Sequence, residues 1–225
     1  MKKNKNVLFV AAHPDDETLG CGGSILKHKK SGDKVYWLII TDMLRSEGFT
    51  EERIRARHKE IGTIAAAYGF SGIFKLNLPT AKLDRVPMSE IISQVDGVIK
   101  KTKAEVIYLP HAGDIHTDHQ ITHRAVVSSA KSFKFPQVKR ILAYETVSET
   151  EFAAPRRNSV FLPNVFTNVT PFMDKKLSLM KLYKGEVKPF PFPRSIKNLK
   201  ALAAFRGSRM GARYAEAFML INEFI

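Results

Sequence analysis

Val7-Leu8-Phe9-Val10-Ala11-Ala12-His13-Pro14-Asp15-Asp16-Glu17 passes from an unbroken apolar run straight into a histidine, a proline and three carboxylates. A short apolar run of this kind, closed by a proline, reads as a buried strand. Its tip then carries more charge than a core tolerates, because an unpaired buried carboxylate is costly. The same theme returns at Asp114-Ile115-His116-Thr117-Asp118-His119, again behind an apolar run, Val106 to Leu109. Two imidazole and carboxylate clusters, each at a strand end, point to one metal site assembled from both.

Outward from that strand, β-rich runs alternate with helical patterns through residue 145. Strands are expected at 7–12, Val35 to Thr41, Ile73 to Leu76, Val106 to Leu109 and Arg140 to Tyr144. Helices are expected at 17–30, 51–68, 88–101 and 119–133; in the last, Ile121, Ala125, Val126 and Ala130 form one apolar face. Such alternation predicts an α/β, Rossmann-like fold, a mostly parallel sheet flanked by helices. Ligands in such sheets collect beyond the carboxyl ends of the strands, where both clusters fall. The last 80 residues change character. Phe152 to Pro155 and Lys188 to Arg194 read as proline-bearing loops. Ser159 to Thr170 reads as one or two strands, and Pro171 opens a helical pattern through Tyr183. A final helix is expected over Ser195 to Arg206. The chain thus reads as a single domain over 1–225, with a core at 1–145 and a smaller strand and helix extension at 146–225.

Bulk properties fit this reading. With 225 residues, 44% hydrophobic and 26% charged, the chain suits one globular domain with a proper core. No apolar stretch approaches the roughly 20 residues that span a bilayer. The basic start at Met1 to Asn6 leads into an apolar segment too short for a signal peptide. A lone cysteine, Cys21, leaves no internal disulfide, and a cytoplasmic location is expected. The net charge of +14 has two readings: a solvated basic surface, or attraction to an anionic partner such as a nucleotide-sugar, a lipid-linked phosphate or a phospholipid head group. No helix-turn-helix, zinc finger or RNA-binding aromatic motif is present, so nucleic acid is not the expected partner.

Zinc catalysis needs about three protein ligands and one open position. His13 and Asp16, three apart in a turn, can meet on one ion. His116 and His119 are equally spaced at a helix entry, and on spacing alone either supplies the third ligand. Asp118 between them can fix an imidazole tautomer. Asp15 is left over beside the ligands and is the candidate general base for a metal-activated water. Taken singly, an Asp pair is an ordinary helix start and His-x-x-His an ordinary surface pattern. Their joint occurrence behind two strands favours the site.

Ala12-His13-Pro14-Asp15-Asp16-Glu17, followed by Gly20-Cys21-Gly22-Gly23, resembles the first signature of the PIG-L/LmbE-like zinc-dependent N-deacetylases. Asp114-x-His116-x-Asp118-His119 resembles their second. The likeness extends to Thr41 through Gly48, Arg57-x-x-Glu60, Arg206-Gly207 and Tyr214-Ala215-Glu216-Ala217-Phe218. The resemblance implies zinc on His13, Asp16 and His119, with Asp15 as general base. It also implies that His116 is an electrophilic or general-acid histidine, charge-supported and oriented by Asp118, and that Arg57 contacts substrate. The implied reaction is removal of the N-acetyl group from an N-acetylglucosamine-type conjugate, a small-molecule substrate. The positive balance points to a phosphate-bearing or lipid-linked one. A metal-dependent phosphoesterase and a non-catalytic sugar-nucleotide or lipid-head-group binding module are the alternatives.

The chain departs from that pattern at Thr80, where many relatives carry a sugar-gripping Asp after Leu-Pro. No tyrosine is a secure carbonyl-polarising group; Tyr144, Tyr183 and Tyr214 are the candidates. Gly20, Gly22 and Gly23 are read as packing glycines, and Cys21 as a packed residue. The sequence alone pairs none of His28, His58, His111 and His123 with a partner, and it offers His111 as a residue lining the mouth of the cleft. The Phe-Pro stretch at 189–193 is read as a lid or as cover for a homo-oligomer interface.

Overall fold

The computed structural model describes residues 4–154 and 160–225. In chain order its elements are β1 (Asn6–Ala11), α1 (Asp16–Lys30), β2 (Lys34–Asp42), α2 (Glu51–Tyr68), β3 (Gly72–Pro79), α3 (Met88–Thr102), β4 (Val106–Pro110), α4 (Thr117–Ser129), β5 (Arg140–Tyr144), β6 (Val165–Asn168), α5 (Met173–Met180), α6 (Ile196–Ser208) and β7 (Ala215–Glu223). They build one seven-stranded sheet of order β3-β2-β1-β4-β5-β7-β6. β1 to β5 run parallel, and β7 lies antiparallel between β5 and β6. The chain reverses its direction of progress between β1 and β4, which makes the gap beyond their carboxyl ends the switch point where such sheets take ligands.

Alternation along β1 sends Val7, Phe9 and Ala11 to one face and Leu8 and Val10 to the other. The first face packs against α1, α2, α5 and α6, the second against α3 and α4. All five side chains are fully buried. At about 1.5–3 kcal/mol for a buried Val, Leu or Phe, β1 is firmly anchored, and so is the charged turn at its tip.

α1 crosses the sheet at close range, which explains its glycines. A Cβ on Gly20 would run into the Tyr144 ring, and one on Gly23 would stand 2.5 Å from Val169 Cβ. The same turns carry a buried ion pair. Lys176 Nζ of α5 donates to the Leu19 carbonyl (2.8 Å) and to Glu216 Oε1 (2.7 Å). Glu216 of β7 accepts the N–H groups of Gly23 (2.8 Å) and Ser24 (2.7 Å). Two distant parts of the chain, α5 and β7, are thereby fastened to one stretch of helix.

Most sequence-based elements appear with small shifts. The helix expected at 119–133 begins at Thr117, because His116 caps it: its Nδ1 accepts the Asp118 N–H at 3.1 Å. It stops at Ser129. The strand expected to end at Leu76 runs on to Pro79 after a register shift. The helix expected from Pro171 to Tyr183 is a 3-10 turn at Thr170–Phe172 followed by α5. Within Ser159 to Thr170 only Val165–Asn168 is a strand; Ser159, like Pro155 of the preceding loop and Met1 to Lys3 at the start, lies outside the described residues. β7 has no counterpart among the expected elements. Ala, Glu, Met and Leu in Ala215–Glu223 favour helix, and pairing with two neighbouring strands overrides that preference.

Candidate active site

The turn after β1 is shaped by its own carboxylates. Asp16 Oδ2 accepts the His13 N–H at 2.8 Å, and Glu17 Oε2 accepts the Asp15 N–H at 3.1 Å. Asp15 is held at φ 137°, a conformation rare for a side-chain-bearing residue and worth about 1–3 kcal/mol of strain. Glu17 is itself buried. Its Oε1 accepts the hydroxyls of Thr18 and Tyr183, the latter at 2.6 Å. Burial pushes its carboxyl up to about 7.

From β4, the 111–119 loop brings the second cluster to this turn. His13, Asp16 and His119 each offer a ligand atom within 4.8 Å of the other two. His119 Nε2 lies 3.3 Å from Asp16 Oδ1, and His13 Nδ1 lies 3.6 Å from Asp16 Oδ2. Each imidazole has a carboxylate on its other nitrogen. Asp114 Oδ2 meets His119 Nδ1 at 2.8 Å, and Asp118 Oδ2 meets His13 Nε2 at 3.1 Å. Asp114 is fixed in turn by the Thr150 hydroxyl at 2.6 Å. Carboxylates on the second ring nitrogen are the kind of outer partner that orients a metal-binding histidine.

The electrostatics favour a cation here. Burial opposes charge on His119, yet Asp16 and Asp114 raise it to about 10. Burial likewise opposes charge on His13, and hydrogen bonds to Asp118 and Asp16 raise it to about 9. Asp16 lies well below the usual carboxylate range: burial works against its charge, and His119 and His13 outweigh it. Two imidazoles and a carboxylate, with His119 and Asp16 buried, His13 half-buried and each imidazole backed by a further carboxylate, fit a divalent ion such as zinc by donor chemistry.

Above this floor opens a cleft of about 200 Å3 lined by His13, Asp15, His116, Arg57, Glu149, Glu186, Arg194, Thr80 and their neighbours. Asp15 faces it from the turn. Burial pushes its carboxyl up to about 8, against the pull of Arg194, whose Nη1 donates to Asp15 Oδ2 at 2.8 Å. Arg194 also donates to Glu186 (2.9 Å), Glu149 (3.1 Å) and the Ser148 hydroxyl (2.8 Å). Arg57 lines the cleft, but its guanidinium is engaged with the Pro14 carbonyl (3.1 Å) and Glu186 (2.9 Å), so it braces the turn. Burial lowers His116 to about 4, with the His13 and His119 charges adding to the effect.

The structure therefore gathers His13, Asp15, Asp16, His116, Asp118, His119 and Arg57 at one place. One expected contact differs. The Asp118 carboxylate is hydrogen-bonded to His13 and accepts the N–H groups of Ala81 (2.6 Å) and Leu83 (3.2 Å). His116 meets Asp118 through the main-chain N–H instead. His111 is buried against Phe161 and is not part of the cleft lining, contrary to its expected place at the mouth. None of the candidate tyrosines lines the cleft: Tyr144 donates to the Val10 carbonyl, Tyr183 to Glu17, and Tyr214 packs beside Lys200 and Arg213. Arg194, Glu186, Glu149 and the outer role of Asp114 were not foreseen. Only Asp114 had a signal, its place in the second cluster.

A fold with a cation-seeking site at its switch point and a carboxylate beside it defines a metal-dependent hydrolase type of centre. The sequence profile of the PIG-L family, described as GlcNAc-PI de-N-acetylase, matches residues 8–130, and the chain belongs to that family of deacetylases. The uncharacterized deacetylase YaiS of Escherichia coli is 26% identical over 189 residues, 81% of this chain and 92% of YaiS. Diacetylchitobiose deacetylase of Thermococcus kodakarensis is 24% identical over 96% of this chain and 83% of its own. Among solved structures, the conserved protein TT1542 of Thermus thermophilus superposes with a TM-score of 0.77 and 25% identity, covering 98% of this chain and 96% of its own.

Proposed function

We propose that this chain is a zinc-dependent hydrolase that removes the N-acetyl group from an N-acetylated amino sugar joined to a further group, of the N-acetylglucosamine type. The observation that carries it is the convergence of His13, Asp16 and His119 within 4.8 Å, directly beside Asp15. Family membership, and a relative named for diacetylchitobiose, support the substrate class.

His13, Asp16 and His119 would hold the ion, which supplies Lewis acidity and an acidified water when bound. Asp15 takes the proton of the attacking water, its carboxylate aimed by the Arg194 guanidinium and by the fixed main chain of the turn. His116 has its Nδ1 occupied by the Asp118 N–H, so a neutral ring carries its proton on Nε2, towards the cleft. From there it hydrogen-bonds the oxygen that gains charge as the amide carbonyl is attacked. The proton gathered on Asp15 is the natural one to reach the departing amine, which leaves acetate behind. Arg57 and Arg194 complete a rigid wall of the cleft rather than a free anion hook, since each is already matched by carboxylates.

Acetate and phosphate release should be assayed side by side on N-acetylglucosamine conjugates, for the zinc-loaded protein and Asp15→Ala. The expected result is acetate alone, with the variant slower by about 10²–10⁴-fold while still binding zinc. Full activity in the variant would remove Asp15 as the base, and phosphate release would move the chain to phosphoester chemistry.

A further inference from the structure

Between α5 and α6 the chain runs through Pro189-Phe190-Pro191-Phe192-Pro193, with Glu186 before this stretch and Arg194 after it. Those two side chains close the loop at its base, where Arg194 Nη1 donates to Glu186 Oε2 at 2.9 Å. Within the loop the main chain turns twice. The Phe192 N–H meets the Pro189 carbonyl at 3.1 Å, and the Ser195 N–H meets the Phe192 carbonyl at 2.9 Å. Prolines narrow the conformations open to such a loop, so its base is a stiff mount. What the mount carries faces the turn after β1.

Glu186 stands at the middle of a row of alternating charges, Glu60, Arg57, Glu186, Arg194 and Glu149. Its Oε1 accepts from Arg57 Nη2 at 2.9 Å, while its Oε2 takes the Arg194 contact. Each arginine also grips the turn. Arg57 Nη1 donates to the Pro14 carbonyl at 3.1 Å, and Arg194 Nη1 donates to Asp15 Oδ2 at 2.8 Å. Among the described residues, Glu186 is the one carboxylate joined to both arginines. All three side chains are half-buried, where charge-assisted hydrogen bonds are strong and less screened by salt.

We propose that Glu186 is a positioning residue for the base: through Arg57 and Arg194 it sets where the Asp15 carboxylate stands. This role rests on the deacetylase reading above. Arg194 Nη1 carries two hydrogens, one for Asp15 and one for Glu186, so the guanidinium cannot turn towards one without leaving the other. With Oδ2 engaged in this way, Oδ1 is the Asp15 oxygen that receives the proton of the attacking water. Asp15 needs such support because its main chain is held at φ 137°, a conformation that persists only when its surroundings enforce it. The proline loop is thereby a scaffold for the base and not a lid.

The test measures kcat and KM for acetate release, per bound zinc, on N-acetylglucosamine conjugates. Glu186→Gln keeps the size but satisfies only one arginine, and it should lower kcat about tenfold with KM steady. Glu186→Ala should lower kcat about 10²-fold, the cost of a small misplacement of a reacting group. Arg194→Lys keeps the charge and loses the fork that spans Asp15 and Glu186. Adding Glu186→Gln to it should cost little more than the worse single change, because members of one network do not lose independently. Three results would each overturn the role. A raised KM with steady kcat would make Glu186 a substrate contact. An unchanged kcat per bound zinc with a lowered Tm would make it a brace for the fold alone. Losses that multiply in the double variant would show that it does not act through Arg194. A wild type that releases no acetate from any conjugate is a separate outcome: it removes the deacetylase reading itself, and the role of Glu186 with it.

Discussion

At the scale of single residues, the turn that carries Asp15 depends on a neighbour that never reaches the cleft. Glu17 is fully buried and holds three donors, the Asp15 N–H and the hydroxyls of Thr18 and Tyr183. Truncating it strands those donors at about 1–3 kcal/mol apiece and releases the strained φ of Asp15. Glu17→Ala should therefore keep zinc but lose about 10²-fold in kcat, since small misplacements of a reacting group cost that much. Glu17→Gln, which keeps the shape and one acceptor, should recover part of it. Measuring kcat per bound zinc separates this from simple instability; equal kcat in all three proteins would deny Glu17 a positioning role. His13, Asp15 and Asp16 were legible in the sequence because one short turn holds them all. The partner of Asp118 was not: its sequence neighbour His116 was the expected one, and the fold supplies His13 from 105 residues away. Arg194 gave no signal either, being one cation in a proline-rich loop that only the fold brings to Asp15, 179 residues away.

Among the elements, α1 shows how the distant signatures serve one another. Gly20, Gly22 and Gly23 let the helix approach Tyr144, Tyr68 and Val169, and Lys176 with Glu216 fastens its main chain. The resemblance at Tyr214 to Phe218 thus has a physical meaning: Glu216 reaches back to the helix that begins at the site. Its strand went unforeseen because helix-forming residues become β7 only through pairing with β5 and β6. The inner parallel strands β1, β2 and β4 were readable from apolar runs, since burial on both faces leaves that mark in the sequence. Removing one partner of the buried pair should be severe. Lys176→Met strands the Glu216 carboxylate and should cost about 3–5 kcal/mol in urea unfolding. Adding Glu216→Gln should return part of that loss, because the uncompensated charge is gone. Additive losses in the double variant would show that the two side chains do not act as a pair.

For the molecule as a whole, charge is distributed in a way that separates the surface from the site. The chain carries +14, yet within the cleft Arg57 and Arg194 are each matched by carboxylates of Glu186, Glu149 or Asp15. The cleft is thus no anion trap at contact range, while the molecule's long-range field is positive. Such a field acts on encounter rather than on the bound geometry, and salt screens it beyond a Debye length of about 10 Å at 0.1 M. An anionic amino-sugar conjugate should therefore lose kcat/KM as salt rises, through KM, with kcat steady. Screening should cost it about tenfold between low and high ionic strength, the lower end of the range for electrostatic steering. A neutral chitooligosaccharide should show no such slope. Steady-state kinetics on the two substrates across a sodium chloride series decides between the readings of the basic surface. Parallel, flat responses would assign the excess lysines and arginines to solvation alone, and an anionic aglycone would lose its physical support.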